Sequence, residues 1–269
     1  MNSPVGVVVA GAAGRMGRML VSLAHANPAL RLAGALEAPG QPALGSDAGR
    51  LAGVGDLGVP LSTEMPSAPV GSVLIDFTAP GPTLEHVRAA AERGWGAVVG
   101  TTGFDREQEN AIDALGDRIP LLRAANMSVG VTVLLDVARE VAARLGSSFD
   151  VEISEIHHRL KKDSPSGTAL ALGRAVAAGR GVVLEERAVY GREGLVGERP
   201  EGQIGVLALR GGDVIGDHTV HFFGTGERIE LTHRAQSREA FAAGALRAAT
   251  WIAGRAPGRY TMRDVLSAD

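Results

Sequence analysis

The stretch "VGVVVAGAAGRMGRMLVSLAHA", residues 5–26, constrains the fold more than any other part of the chain. A continuous β-branched run ends in glycine, and a segment of helical composition follows almost at once. The run reads as a strand buried on both faces. The order then recurs: "LRLAGALE" (30–37), "SVLIDFT" (72–78), "GAVVGTT" (96–102) and "IPLLRAAN" (119–126) are further strands. Helical "PTLEHVRAAAERG" and "DREQENAIDALGD" separate the last three. Strands alternating with helices imply right-handed crossovers and a parallel sheet, hence an α/β fold. The Gly-, Pro- and Ala-rich segment 38–58 reads as a loop.

From about residue 127 the pattern changes. Leu134, Val137, Ala138, Val141 and Leu145 mark one apolar face of a long helix. Val151 and Ile153 then alternate with Glu152 and Ser154, a half-buried strand whose alternation is expected to break at Glu155. Runs 204–223 and 227–235 are strand-like and broken by Gly-Gly-Asp and Gly-Thr-Gly, which are hairpin signals. The second sheet should therefore be mixed or antiparallel. The expected organisation is a first domain over 1–127, a second α+β domain over 128–239, and a C-terminal helix over 240–269 packing back on the first.

At 269 residues the chain exceeds what one core usually organises, which agrees with two domains. A net charge of −3 supplies no bulk positive field for nucleic acid or an anionic membrane. Without cysteine, disulfides, thiolate nucleophiles and Cys-ligated zinc are excluded. No basic leader precedes Val5 and no apolar run approaches bilayer length, so cytoplasmic residence is expected.

Gly11, Gly14 and Gly17 form GxxGxxG between the first strand and helix. Such a turn lets backbone approach a diphosphate while unpaired helix amides face its charge. Alone the spacing is a weak signal, since glycine punctuates many strand–helix turns. Its place after the first strand of a βα series strengthens it. Glu37, at the end of the second strand, suits the hydroxyls of an adenosine ribose, or else caps an exposed strand end. Ala38 offers no guanidinium for a 2′-phosphate, which favours NADH somewhat over NADPH. Arg15 and Arg18 either reach phosphate or decorate the helix. "GTTGF" (100–104) and "AANMSVG" (124–130) lie at the carboxyl ends of later strands, where open α/β sheets bind ligands.

"EIHHRLKKDSPSGTALALG", 155–173, crowds titratable groups at the mouth of a helix. Ser166 suits an N-cap, and the amides of Gly167 and Thr168 with nearby Lys161 would make a carboxylate site. His157 and Lys161 are candidate proton carriers. A solvated basic loop is the plain alternative. A metal site is another, although adjacent histidines on a strand point to opposite faces and chelate poorly; no metal is expected. His218 and His221 read as packing or solvent-facing residues. Arg210-Gly211-Gly212-Asp213 reads as a turn, with Arg210 free to meet an acid group. A different nicotinamide-dependent dehydrogenase, or a non-catalytic nucleotide sensor, would also account for the first domain.

The chain resembles the bacterial 4-hydroxy-tetrahydrodipicolinate reductase (dihydrodipicolinate reductase) family. "EIHHRLKKDSPSGTA" fits the family signature HHxxKxDxPSGTA, and "GAAGRMGR", "LGSDAG", "IDFT", "GTTGF", "AANMSVGV", "VYGREGLVGER", "RGGDVIGDH", "GERIELTHRA" and "MRDVL" extend the likeness almost end to end. The resemblance implies a lysine-pathway oxidoreductase, with a Rossmann-like N-terminal domain and a C-terminal domain for substrate and homotetramer formation. By the same likeness Gly11, Ala12, Ala13, Gly14, Arg15 and Met16 hold the diphosphate and Glu37 the ribose. Gly100, Thr101, Thr102 and Ala124, Ala125, Asn126 and Met127 line the nicotinamide side. His157 and Lys161 donate protons, while His158, Gly167 and Thr168 hold a small cyclic dicarboxylate. Family members that use both cofactors often carry arginine after the ribose-binding acid, and Ala38 departs from that pattern.

Overall fold

A computed structural model describes residues 3–267 and divides the chain into two compact units. Among the described residues, one unit comprises 3–129 and 239–267, the other 130–238.

The first unit opens with β1 (Val5–Ala10), α1 (Arg15–Ala26), β2 (Leu30–Leu36), α2 (Ala48–Ala52), β3 (Leu61–Ser62), β4 (Val73–Asp76), α3 (Pro80–Glu92), β5 (Gly96–Val99), α4 (Arg106–Leu115) and β6 (Pro120–Arg123). The second contains α5 (Val129–Leu145), β7 (Asp150–His157), α6 (Gly167–Gly179), β8 (Ala188–Val189), β9 (Ile204–Arg210), β10 (Asp217–Phe223) and β11 (Arg228–Arg234). The chain then returns to the first unit with α7 (Glu239–Ile252), β12 (Gly258–Tyr260) and α8 (Met262–Leu266).

In the first unit seven parallel strands run in the order β12-β6-β5-β4-β1-β2-β3. Val7, Val8 and Val9 are wholly buried because helices cover both faces. Val7 and Val9 join one core with Leu20 and Val21 of α1 and Ala245 and Ala249 of α7. Val8 joins the other with Val87 of α3 and Ile112 of α4. The chain winds outward in both directions from β1, so a crevice opens at the carboxyl ends of β1 and β4.

Segment 38–58, expected to be loop throughout, contains α2. Asp47 caps it and accepts from the amides of Gly49, Arg50, Leu57 and Val59, so one carboxylate organises the whole excursion. The C-terminal region is likewise not one helix over 240–269. After α7, Gly254 at φ +76° begins a turn into β12, which pairs with β6.

In the second unit five strands run β11-β10-β7-β9-β8, with β7 antiparallel to β10 and parallel to β9. The sheet is mixed, as expected, but β9 and β10 are not a hairpin, because β7 lies between them. Only β10 and β11 form one, around Gly224 to Gly226. Ile153, Leu172, Val206 and Phe222 fill the core between the sheet and helices α5 and α6. Complete burial of each contributes about 1.5–3 kcal/mol. On α5 the inward stripe is Leu134, Ala138 and Ala142, with Val141 and Leu145 partly buried, and Val137 is exposed. The β7 alternation does not break at Glu155. It continues through His157, so Glu155 and His157 share the buried face with Val151 and Ile153.

Candidate active site

Two groups of predicted residues occupy two places, one in each unit. Residues 11–16, 37, 100–102 and 124–127 gather at the carboxyl ends of β1, β2, β5 and β6 in the first unit. Residues 157, 158, 161, 167 and 168 gather at the end of β7 and the start of α6 in the second.

The glycine turn is built for close approach. Gly11 sits at φ +70°, a conformation glycine adopts without strain. A Cβ on Gly17 would stand 2.1 Å from the Gly11 carbonyl oxygen, so only glycine lets α1 start this near the strand. Several amides of the turn are already engaged. Ala12 N–H donates to the Leu36 carbonyl, Ala13 N–H to Glu37 Oε2 (2.9 Å) and Gly14 N–H to the Gly11 carbonyl. The first turn of α1 has neither a side-chain cap nor an acidic residue. Its amides, from Arg15 onward, are therefore the donors suited to a phosphate. Glu37 also accepts from the Ala38 amide, which holds the carboxylate beside the turn with further lone pairs for hydroxyls. The set fits a dinucleotide.

Thr101, Thr102, Arg123, Ala124 and Ala125 line a cavity of about 370 Å³ beside these residues. Gly100 makes room for the Phe77 ring, since a Cβ there would meet the ring at 2.1 Å. Asn126 accepts from the Ser128 amide (2.9 Å). The Met127 side chain is buried in the core, so it can serve a ligand only through its backbone.

Sequence reasoning missed Asp76, a fully buried carboxylate ending β4. Its Oδ1 accepts from the Thr78 amide (2.8 Å), Thr78 Oγ1 (2.7 Å) and Thr83 Oγ1 (3.0 Å), and Oδ2 meets His86 Nδ1 at 2.7 Å. Thr83 Oγ1 lies 2.8 Å from Thr101 Oγ1, which ties the network to the cavity. Burial pushes the Asp76 pKa up, but the His86 and Thr78 hydrogen bonds outweigh it and leave the carboxyl below its ordinary value. The available signal was an acid placed at the end of an otherwise apolar strand.

In the second unit Ser166 caps α6, its Oγ accepting from the Ala169 amide (3.2 Å) as expected of that residue. Glu155, fully buried, accepts from the Ser166 amide (3.0 Å) and from both Arg210 terminal nitrogens (2.8 and 3.0 Å), and its Oε2 meets His157 Nδ1 at 2.5 Å. Arg210 is thus no mere turn residue. It meets an acid group, but that group belongs to the protein. Lys161 Nζ donates to both Asp163 carboxylate oxygens (2.9 and 2.8 Å).

His158 is half-buried, its amide donating to the Val214 carbonyl and its Nδ1 buried without a hydrogen-bond partner among the described residues. His218 is buried, its Nε2 3.1 Å from Ser166 Oγ and its ring edge-on to His157 with centroids 5.1 Å apart. His221 instead stacks on Phe223 and contacts Ser154 and Glu230. Burial holds His157 below the ordinary histidine value, Glu155 pulling upward and Lys161 and Arg210 adding a smaller downward push. Burial and the neighbouring His157 push His218 down to about 4. The cluster thus offers an imidazole on a fixed carboxylate, an ammonium, and a helix start with Gly167 exposed.

Comparison with known proteins joins the two halves. Residues 5–127 match the family model described as dihydrodipicolinate reductase, N-terminus, and residues 130–266 match its C-terminus counterpart. The 4-hydroxy-tetrahydrodipicolinate reductase of Rubrobacter xylanophilus is 52% identical over 261 residues, covering 97% of this chain and 98% of the relative. That of Anaeromyxobacter dehalogenans is 49% identical over 261 residues, covering 97% of each chain. A solved structure of dipicolinate-bound dihydrodipicolinate reductase from Paenisporosarcina sp. TG-14 shares the fold, with a TM-score of 0.73 at 24% identity over 96% of this chain and 97% of that one. From end to end, the chain belongs to the dihydrodipicolinate reductase family.

Proposed function

We propose that the chain reduces 4-hydroxy-tetrahydrodipicolinate to tetrahydrodipicolinate with a reduced nicotinamide nucleotide, a step of diaminopimelate and lysine biosynthesis. The observation that carries this reading is the 155–168 cluster: His157 on a buried carboxylate, Lys161 on Asp163, and the capped start of α6. A sensor that only binds nucleotide has no use for such a set of proton carriers.

The α1 amides and Arg15 hold the diphosphate, and Glu37 accepts the ribose hydroxyls. Thr101, Thr102 and the 124–127 backbone line the nicotinamide side. Loss of the C4 hydroxyl with a neighbouring ring proton, as water, leaves a conjugated ring imine, and a bound reduced nicotinamide would supply the hydride that C4 of this imine accepts. His158 and the Gly167 and Thr168 amides hold the substrate carboxylates, helped by the α6 dipole. Electron density moves toward the ring nitrogen, and His157 or Lys161 supplies the compensating proton. These cations and amides also stabilise negative charge as it develops.

Glu37 beside Ala38 supports NADH over NADPH, because a 2′-phosphate would face a carboxylate with no adjacent guanidinium. Comparing kcat/KM for the two cofactors tests it, and equal values remove the preference. Homotetramer formation is supported by the second unit's exposed edge strand β11 and by Leu209, Phe223 and Ile229 exposed on its sheet; sedimentation equilibrium measures it. Cytoplasmic residence accords with the lack, among the described residues, of any helix long and apolar enough to cross a membrane.

The deciding assay uses freshly generated substrate and follows the loss of NADH absorbance. His157→Gln and Lys161→Ala should each lower kcat by about 10²–10⁴-fold. Near-wild-type kcat in both removes these roles.

A further inference from the structure

We propose that Glu155 is the positioning residue of this site: with Arg210 and the Ser166 amide it fixes His157 as the Nδ1–H tautomer, leaving Nε2, beside Gly216, as the nitrogen that takes up and releases the proton. The inference rests on the reading of His157 as a proton carrier and specifies which atom acts.

The buried register of β7 places Glu155 and His157 on one face, two residues apart, with Glu155 Oε2 at 2.5 Å from His157 Nδ1. A carboxylate accepts and never donates, so Nδ1 must carry the hydrogen. Glu155 cannot turn away. Arg210 grips it with two nitrogens and itself donates to the carbonyls of Leu209 and Asp163, while the Ser166 amide fixes one oxygen from the start of α6. Five protein groups thus set the angle of one imidazole plane.

Arg210 does more than anchor. A lone buried carboxylate would drive the imidazole to its charged form, whereas a Glu–Arg pair is close to neutral and orients the ring without fixing its charge. The other charged or titratable groups acting on the ring are Lys161, itself paired with Asp163, and His218 on β10. Burial holds His157 below the ordinary histidine value despite Glu155, which agrees with an imidazole poised to exchange its proton.

Gly216 supplies the space. A Cβ there would lie 2.9 Å from His157 Nε2, so glycine leaves this nitrogen clear. Its backbone is otherwise committed, the carbonyl accepting from the Ala235 amide.

The test combines nitrogen NMR of the histidine side chains with turnover, His157 being assigned by its loss in His157→Gln. The wild-type enzyme should show Nδ1 protonated and Nε2 bare in the neutral ring. Glu155→Gln can meet either tautomer, so the preference should vanish. Its kcat should fall about 10²-fold or more with KM for NADH unchanged, and the alkaline limb of the pH profile should move to lower pH. Gly216→Ala, which leaves the carboxylate untouched, should keep the tautomer yet lose kcat, and it carries the test if Glu155→Gln fails to fold. Wild-type turnover in His157→Gln overturns the proton-carrier reading itself. If His157 matters, an Nε2–H tautomer in the wild type overturns the Glu155 assignment alone. So does Glu155→Gln with unchanged tautomer and pH profile.

Discussion

His218 resists a proton that the unfolded chain accepts. Folding lowers its pKa from 6.5 to about 4, chiefly by burial. Between those values the unfolded state binds more protons, so the stabilisation is complete above pH ~6.5 and is lost as pH falls toward 4. At ~1.4 kcal/mol per tenfold in proton affinity, about 3 kcal/mol disappears across that window. Denaturant titrations of the wild type and His218→Gln should diverge in slope against pH there, and parallel curves would refute the assignment. Asp76 gives a second residue-level prediction. Asp76→Asn leaves several hydroxyls competing for one amide oxygen, and a disturbed buried hydrogen bond costs about 1–3 kcal/mol. The melting temperature should drop, and KM for NADH should rise because Thr101 loses its support. Asp76 and Glu155 were both visible in the sequence as acids set within apolar strand patterns. An acid in a buried register ordinarily reads as the end of a strand, and only the positions of His86, Thr83 and Arg210, remote in sequence, reveal it as a satisfied core carboxylate.

Among the elements, the β1–α1 turn was the most legible, because its glycines answer to local geometry alone. Gly17→Ala would press a methyl against the Gly11 carbonyl, as the 2.1 Å approach shows. The turn must open and the α1 amides must move, so NADH binding measured by calorimetry should weaken at least tenfold while far-ultraviolet dichroism stays unchanged. Pairing between strands was less legible. Periodicity identifies β9 and β10 as strands but says nothing of neighbours, and β7, earlier in the chain, separates them. Helix α2 escaped notice because it is short and depends on Asp47 reaching to Leu57 and Val59 across the loop. Asp47→Ala should speed amide exchange across 45–59, and unchanged exchange would show that the loop holds itself.

At the level of the whole chain, the first unit is assembled from both ends. Ala242, Ala245, Ala249 and Ile252 of α7 lie in the same core as Val7 and Leu20, and a Cβ on Gly244 would stand 1.8 Å from the Met127 carbonyl oxygen. A chain cut after Arg238 should therefore be insoluble or molten and should bind no nucleotide, although every residue proposed to hold the cofactor precedes the cut. Soluble, NADH-binding 1–238 would refute this. The same construction has a consequence for synthesis, which proceeds at about 5–20 residues per second. The first unit cannot close until residues 239–266 have been translated, whereas the segment between, 130–238, is complete earlier. On the ribosome the second unit should therefore mature first, while residues 3–129 wait, with one flank of their sheet bare, for α7 and β12.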